Sequence, residues 1–148
     1  MEERLEKEKK RSRWHRTWMV LALLLLGLVI GSAAFSYFHM TTQARLVLRR
    51  GKNVKLALDM LDIELYAKKQ SVYDAKKPGK MANGIEKQVY DIVEQEGEIE
   101  IVSYDTAAHK ITYLIYEEES YRVIYQYDQE KGDLWRVDYL VTLLNYAD

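Results

Sequence analysis

Residues 43–67 read "QARLVLRRGKNVKLALDMLDIELYA", and at about 100° per residue they draw two apolar stripes on one helix. Val47, Gly51, Val54, Leu58, Leu61 and Leu65 recur at steps of four and three along one side. Leu56, Met60, Ile63 and Ala67 recur with the same steps almost diametrically opposite. Between the stripes stand Arg45, Lys52, Lys55, Asp59 and Asp62 on one flank, and Arg50, Glu64 and Lys68 on the other. A surface helix ordinarily needs one apolar stripe facing its core. The second stripe leaves two readings open: a helix covered on both sides within one domain, or a helix that packs on its own domain with one stripe and on a partner with the other.

Upstream, "TWMVLALLLLGLVIGSAAFSYF" (17–38) carries no charge, and the next charge is Arg45. About 20 apolar residues rising 1.5 Å each cross a hydrocarbon core of roughly 30 Å. Trp14 and Trp18 suit one interface, and Phe35, Tyr37 and Phe38 the other. The basic run "KEKKRSRWHR" places the N-terminus on the cytoplasmic side, although Arg45, Arg49, Arg50, Lys52 and Lys55 form a second basic flank. Ser32-Ala33-Ala34 is a passable signal-cleavage site. The apolar pattern nevertheless continues past it without a break, which favours an uncleaved anchor. Gly27 and Gly31 form a small-xxx-small pair that lets a second helix approach.

Downstream, "QSVYDAKKPGKMANG" ends the first helix near Lys69 and contains the only proline, Pro78. Asn83 followed by Glu86 predicts a capped short helix with Ile85, Val89, Ile92 and Val93 on one face, stopped by Gly97. The period then changes to two. "EIEIVSY", "KITYLIYE", "YRVIYQY" and "LWRVDYLV" alternate and are separated by "DTAAH", "EES" and "DQEKGD". Short polar gaps between alternating runs predict hairpins, hence a four-stranded antiparallel meander. Tyr121, Val123, Tyr125 and Tyr127 share one face of the third strand; Trp135, Val137, Tyr139 and Val141 share one face of the fourth.

The expected fold is therefore α+β. A long membrane-spanning helix packs through Val54, Leu58, Leu61 and Leu65 on a sheet whose covered face includes Val123, Tyr125, Trp135 and Val137. The expected organisation is a basic tail (1–16), a span (17–38), a stalk (39–69) and a head (70–148).

Charge is segregated along the chain. Residues 1–16 hold seven Lys/Arg against four Glu, residues 45–80 hold ten against four acids, and residues 81–148 hold five against fifteen. An acidic head repels phosphate, so no nucleic-acid partner is expected. The chain has no cysteine, hence neither a disulfide framework nor a thiolate site. The three histidines, His15, His39 and His109, have no metal-ligand spacing. Asp105 with His109, and "DQEKGD", read as turn chemistry. No catalytic, metal or cofactor-binding residue is expected, nor a small-molecule substrate. Seven of the twelve tyrosines fall in the strands, either as β-formers or as part of an exposed contact surface.

The order of basic leader, uncharged helix, amphipathic continuation and antiparallel meander resembles type IV pilins and the pseudopilins of type II secretion. "TTQARLVLRRGKNVKLALDMLDIELYAKKQSVYD" is the stretch most similar to the pilin helix where it leaves the membrane. Where that family has Gly-Phe at the leader cleavage point, this chain has Arg16-Thr17, and Leu21 stands where the mature helix has its glutamate. The resemblance implies a membrane subunit for filament or secretion-type envelope assembly, a homo-oligomer or a companion of related pilin-like subunits. It assigns Leu56, Met60, Ile63, Ala67, Gly27 and Gly31 to helix-helix contacts. The competing class is a monomeric anchored binding module with the tyrosine-rich sheet as its ligand surface. A bitopic envelope scaffold of the small-division-protein kind is a third, less favoured because its stalk lacks a meander.

Overall fold

The computed structural model describes residues 2–140, with side chains described from residue 14 onward. Its elements are α1 (Glu2–Ala67), a 3-10 turn at Pro78–Lys80, α2 (Ile85–Val93), β1 (Glu98–Asp105), β2 (Lys110–Glu118), β3 (Tyr121–Asp128) and β4 (Gly132–Tyr139). The chain is α+β and forms two compact units, residues 1–42 and 43–148.

In the first unit, the helix is long and apolar enough to cross a membrane. Leu24, Leu28, Val29 and Phe35 are all more than half exposed on the isolated chain, as a lipid-facing helix requires. Its hydroxyls are satisfied locally. Ser32 donates to the Val29 carbonyl at 2.9 Å, and Thr41 and Thr42 both donate to Phe38 O at 2.9 Å. Gly27 and Gly31 lie in a shallow groove with Leu24, Leu28, Ser32 and Phe35, and a Cβ at either glycine would meet open space.

In the second unit, the four strands pair in the order β1-β2-β3-β4, each antiparallel to the next. Two-residue alternation sends Ile99, Ile101, Leu114, Tyr116, Val123 and Tyr125 to one face, all of them buried. Onto that face α1 lays Val47, Val54, Ala57, Leu58 and Leu61, which are buried in turn. At about 1.5–3 kcal/mol per fully buried aliphatic side chain, this line is a large share of the head's stability. Ala57 was not assigned to the buried stripe in the sequence reading; its small side chain lies between Val54 and Leu58 on the helix surface. Met81, Ile85, Val89 and Val72 extend the same core.

The end of α1 is capped rather than frayed. Lys69 takes a left-handed φ of 57°, while Lys69 N–H and Gln70 N–H donate to the Tyr66 and Leu65 carbonyls, both at 2.9 Å. That pattern is a Schellman cap, and it ends the helix at Ala67.

The short helix departs from expectation at both ends. Its cap position is Gly84 at φ 79°, with no side-chain cap from Asn83, and it ends at Glu94 in a left-handed conformation, before Gly97. Ile92, expected on the apolar face, is 49% exposed. Gly97 is needed for space instead. A Cβ there would stand 2.6 Å from the Tyr116 ring and 2.7 Å from the Glu117 carbonyl oxygen. β4 begins two residues before the "LWRVDYLV" run, and Val141 lies outside the described residues.

Helix and sheet approach closely at Gly51. A Cβ at that position would fall 2.8 Å from Val123 Cγ1 and 3.1 Å from Val123 Cβ. Glycine inside a helix costs about 1 kcal/mol relative to alanine, so Gly51→Ala on an open helix would stabilise. Here the added methyl meets a β-branched side chain held on both sides in the sheet. We expect Gly51→Ala in the full chain to lower stability by about 1–3 kcal/mol through overpacking. Val123→Ala in the same background should recover part of that loss. Thermal unfolding of the four-member cycle checks this; additive effects of the two substitutions would contradict it.

Candidate interaction face

On the side of α1 away from the sheet, Leu56 is 59% exposed, Met60 57% and Ile63 73%. Ala67 is exposed as well, and Tyr66, which belongs to neither sequence stripe, is 58% exposed. These residues are not the opposite wall of a sandwich: the described residues of the head leave them open. Arg45, Arg49 and Lys52 are also exposed and continue the line of Leu56 backward at steps of four and three. Arg45 thus belongs to this outer face rather than to a flank, while Lys52 lies at its border and turns its ammonium toward Trp135. The line 45-49-52-56-60-63-67 is a single seam, basic in its first half and apolar in its second.

The seam's borders are held by ion pairs. Lys55 Nζ lies 2.5 Å from Asp59 Oδ2 and 4.8 Å from the centre of the Tyr125 ring. Lys52 Nζ sits 5.5 Å over Trp135. Lys68 Nζ meets Glu64 Oε1 at 2.7 Å, and that hydrogen bond, with the accompanying charge attraction, holds the Glu64 carboxyl below its ordinary range. On the sheet side, Arg50 pairs with Glu118.

Of the expected core residues, Val54, Leu58, Leu61, Val123 and Tyr125 are buried, while Leu65, Trp135 and Val137 are half-buried against that core. Tyr116, Tyr121 and Tyr125 are buried too, so the tyrosine-rich face of β3 lies largely beneath α1. Tyr127 and Tyr139, at the strand ends, stay exposed.

The sequence places Asp62 on the flank between the two stripes, and the structure gives that position an interior role. It is 5% exposed and works as a polar clamp. Its Oδ2 accepts from the Tyr104 hydroxyl at 2.8 Å, and its Oδ1 from the Val72 N–H at 3.2 Å and, more distantly, the Ser71 hydroxyl at 3.5 Å. Tyr104 stacks on Tyr73 with ring centres 5.3 Å apart. His109 Nδ1 lies 3.3 Å from the Tyr104 oxygen, and its ring meets Tyr66 at 4.3 Å. One carboxylate therefore ties the far end of α1, the following loop and β1 together. The available sequence signal was its position beside the buried stripe, next to Leu61.

The remaining acids near the turns serve the turns. Asp105 Oδ1 accepts from Ala107 N–H and Ala108 N–H at 2.9 and 3.0 Å, and Asp128 Oδ1 from Glu130 and Lys131 N–H at 2.9 and 2.8 Å. Among the described residues no group of His, Asp and Glu is arranged to hold a metal. The chain matches no known family model, no curated protein and no solved structure.

Two expectations follow from the buried polar groups. Asp62→Leu removes an acceptor from Tyr104 and Val72, and should cost about 1–3 kcal/mol per buried donor left unsatisfied. Asp62→Asn, which keeps one acceptor oxygen, should cost less; equal melting of both variants and wild type would contradict the clamp. The phenols of Tyr90, Tyr116 and Tyr125 are pushed above the usual tyrosine range, first by burial and then by hydrogen bonding to Glu86, Glu118 and Asp133 respectively. A raised folded-state value means their stabilisation is complete below about pH 10, the ordinary tyrosine value, and is lost as pH rises further. Phenolate absorbance for these three should therefore appear together with loss of the circular-dichroism signal. Full ionisation of every tyrosine near pH 10 with the fold intact would refute that assignment.

Proposed function

We propose that this chain is a single-pass, membrane-anchored, pilin-like subunit of a multi-copy envelope assembly. Its N-terminus is cytoplasmic and its head extracytoplasmic, and the outer seam of α1 is the contact face between copies or with related subunits. One observation carries this reading. Leu56, Met60 and Ile63 stay more than half exposed although the head already has a complete apolar core on the other side of the same helix. Exposed apolar residues scattered singly need no explanation, but a row at helical spacing marks a contact surface. Burying three such side chains is worth several kcal/mol at about 1.5–3 kcal/mol each. The uncharged span and its basic leader support anchoring with the leader inside. The resemblance to pilins and pseudopilins supplies the assembly class. Retention of Arg16-Thr17 at the position of the leader junction fits a subunit that remains anchored.

The triple variant Leu56→Asn, Met60→Gln, Ile63→Asn separates this reading from an internal structural role. In the full chain its melting temperature should stay within about 6 °C of wild type, since surface substitutions away from special features change stability by roughly 0.5 kcal/mol or less each. Chemical crosslinking between copies in membranes should fall to background. A variant that unfolds, or that crosslinks as well as wild type, overturns the proposal.

A further inference from the structure

We infer that the outer seam of α1 seats on the outward face of the sheet of a second copy, a head-to-tail contact rather than a pairing of two identical seams. The inference rests on the preceding reading that copies associate through this seam. It begins with charge. Copies anchored in one membrane leave it on the same side, so seam-to-seam pairing would set Arg45, Arg49 and Lys52 of one copy against the same three residues of the other. Like charges face to face are unfavourable and select against that arrangement.

The complementary surface is on the chain itself. On the face of the sheet away from α1, strand pairing sets Glu98 directly opposite Glu117 in one row, and the β2–β3 turn adds exposed Glu119. Directly opposed carboxylates destabilise a sheet. Arg122, 2.5 Å from Glu117, offsets part of this, and a neighbouring cation would offset more. The adjacent row runs Glu100, Ile115, Ile124 and Arg136, with Ile115 half-buried and Ile124 buried, and the row beyond runs Ser103, Tyr113, Gln126 and Leu134, of which Leu134 is 38% exposed. Beside Ile115 a groove of about 310 Å³ is walled by Pro78 and Met81 and rimmed by Glu86, Glu98, Glu100 and Glu117. Lys80 Nζ, 3.3 Å from Glu100, offsets one carboxylate of this rim, and the remaining acidic rim is the counterpart of the basic half of the helix face.

Internal contacts show that the two surfaces have the same order along the helix axis. Arg50 pairs with Glu118 and Gly51 abuts Val123, whereas Asp62 reaches Tyr104, whose strand partner is Ile111. The helix thus runs from the Glu117 end of β2 toward its Ile111 end. The acidic row is level with the helix turn of Arg49 and Lys52, and the rows through Ile115 and then Tyr113 follow in the direction of Leu56 and Met60. A second copy displaced sideways, with no change of direction, brings basic against acidic and apolar against apolar. Because the two faces differ, each added copy leaves one of each free, so the contact propagates in place of closing as a dimer.

The cysteine-free chain makes the test direct. Full-length Leu56→Cys and Tyr113→Cys copies are reconstituted together in phospholipid vesicles and exposed to a short thiol crosslinker. The expected result is a mixed dimer, a ladder beyond the dimer from the chain carrying both cysteines, and no self-dimer of Leu56→Cys alone. Arg49→Glu with Lys52→Glu should abolish the mixed dimer, and Glu98→Lys with Glu119→Lys in the partner copy should restore it. Self-dimers of Leu56→Cys without mixed dimers would overturn the head-to-tail contact while leaving association through the seam intact. Absence of any crosslink, with single copies by mass photometry, would overturn both.

Discussion

The close crossing of α1 over β3, where Gly51 meets Val123, governs the architecture of the head. A helix and a sheet bury each other's apolar surface only if their backbones come near enough for side chains to interdigitate, and the missing Cβ of Gly51 provides that room. With the crossing fixed, Val47 falls on one side and Val54, Leu58 and Leu61 on the other, all in one buried core with Tyr116, Val123 and Tyr125. The Arg50–Glu118 pair fixes one end of the overlap and the Asp62–Tyr104 bond the other. Since the helix cannot roll about its axis without breaking both, the rotation that buries one stripe also exposes the other.

That coupling links folding to function. The outer seam is exposed as the geometric consequence of a core satisfied elsewhere, so selection for stability alone does not require Leu56, Met60 and Ile63 to be apolar. Under the proposed function, the uncharged helix of residues 17–38 would confine copies to a surface and raise their effective concentration, which lets a modest contact matter. On that proposal anchored neighbours would share one direction, and that restriction would make the segregated charges informative. Basic seam and acidic sheet end would be unremarkable on freely tumbling molecules; on copies sharing a membrane they discriminate between symmetric and staggered contacts.

Much of the fold could be read from periodicity. The change from a 3.6 period to a two-residue period after Gly97 gave the meander and its strand boundaries to within about two residues, and the two stripes distinguished the buried line from the outer one. Residues whose role depends on a distant partner were not readable in this way. Asp62 looks like any charged helix residue until Tyr104, 42 positions later, supplies a hydroxyl in the interior. Arg45 looked like a flank residue because charge, rather than angular position, guided its placement. The end of α2 was misjudged because Glu94 adopts a left-handed cap that propensity assigns to glycine, whereas Gly97 is required by the Tyr116 ring. Turn acids such as Asp105 and Asp128 were readable, since their partners are two or three residues away.

The central claim is that the outer seam is an accessible surface of the folded head that becomes covered when copies meet. Maleimide reactivity of a single cysteine at position 60, compared between native membranes and dilute detergent, measures this most directly. The account predicts rapid modification of Met60→Cys in dilute detergent and strong protection in membranes, with Gln129→Cys on the β3–β4 turn reacting equally in both. Equal reactivity of the position 60 thiol in the two conditions would contradict it.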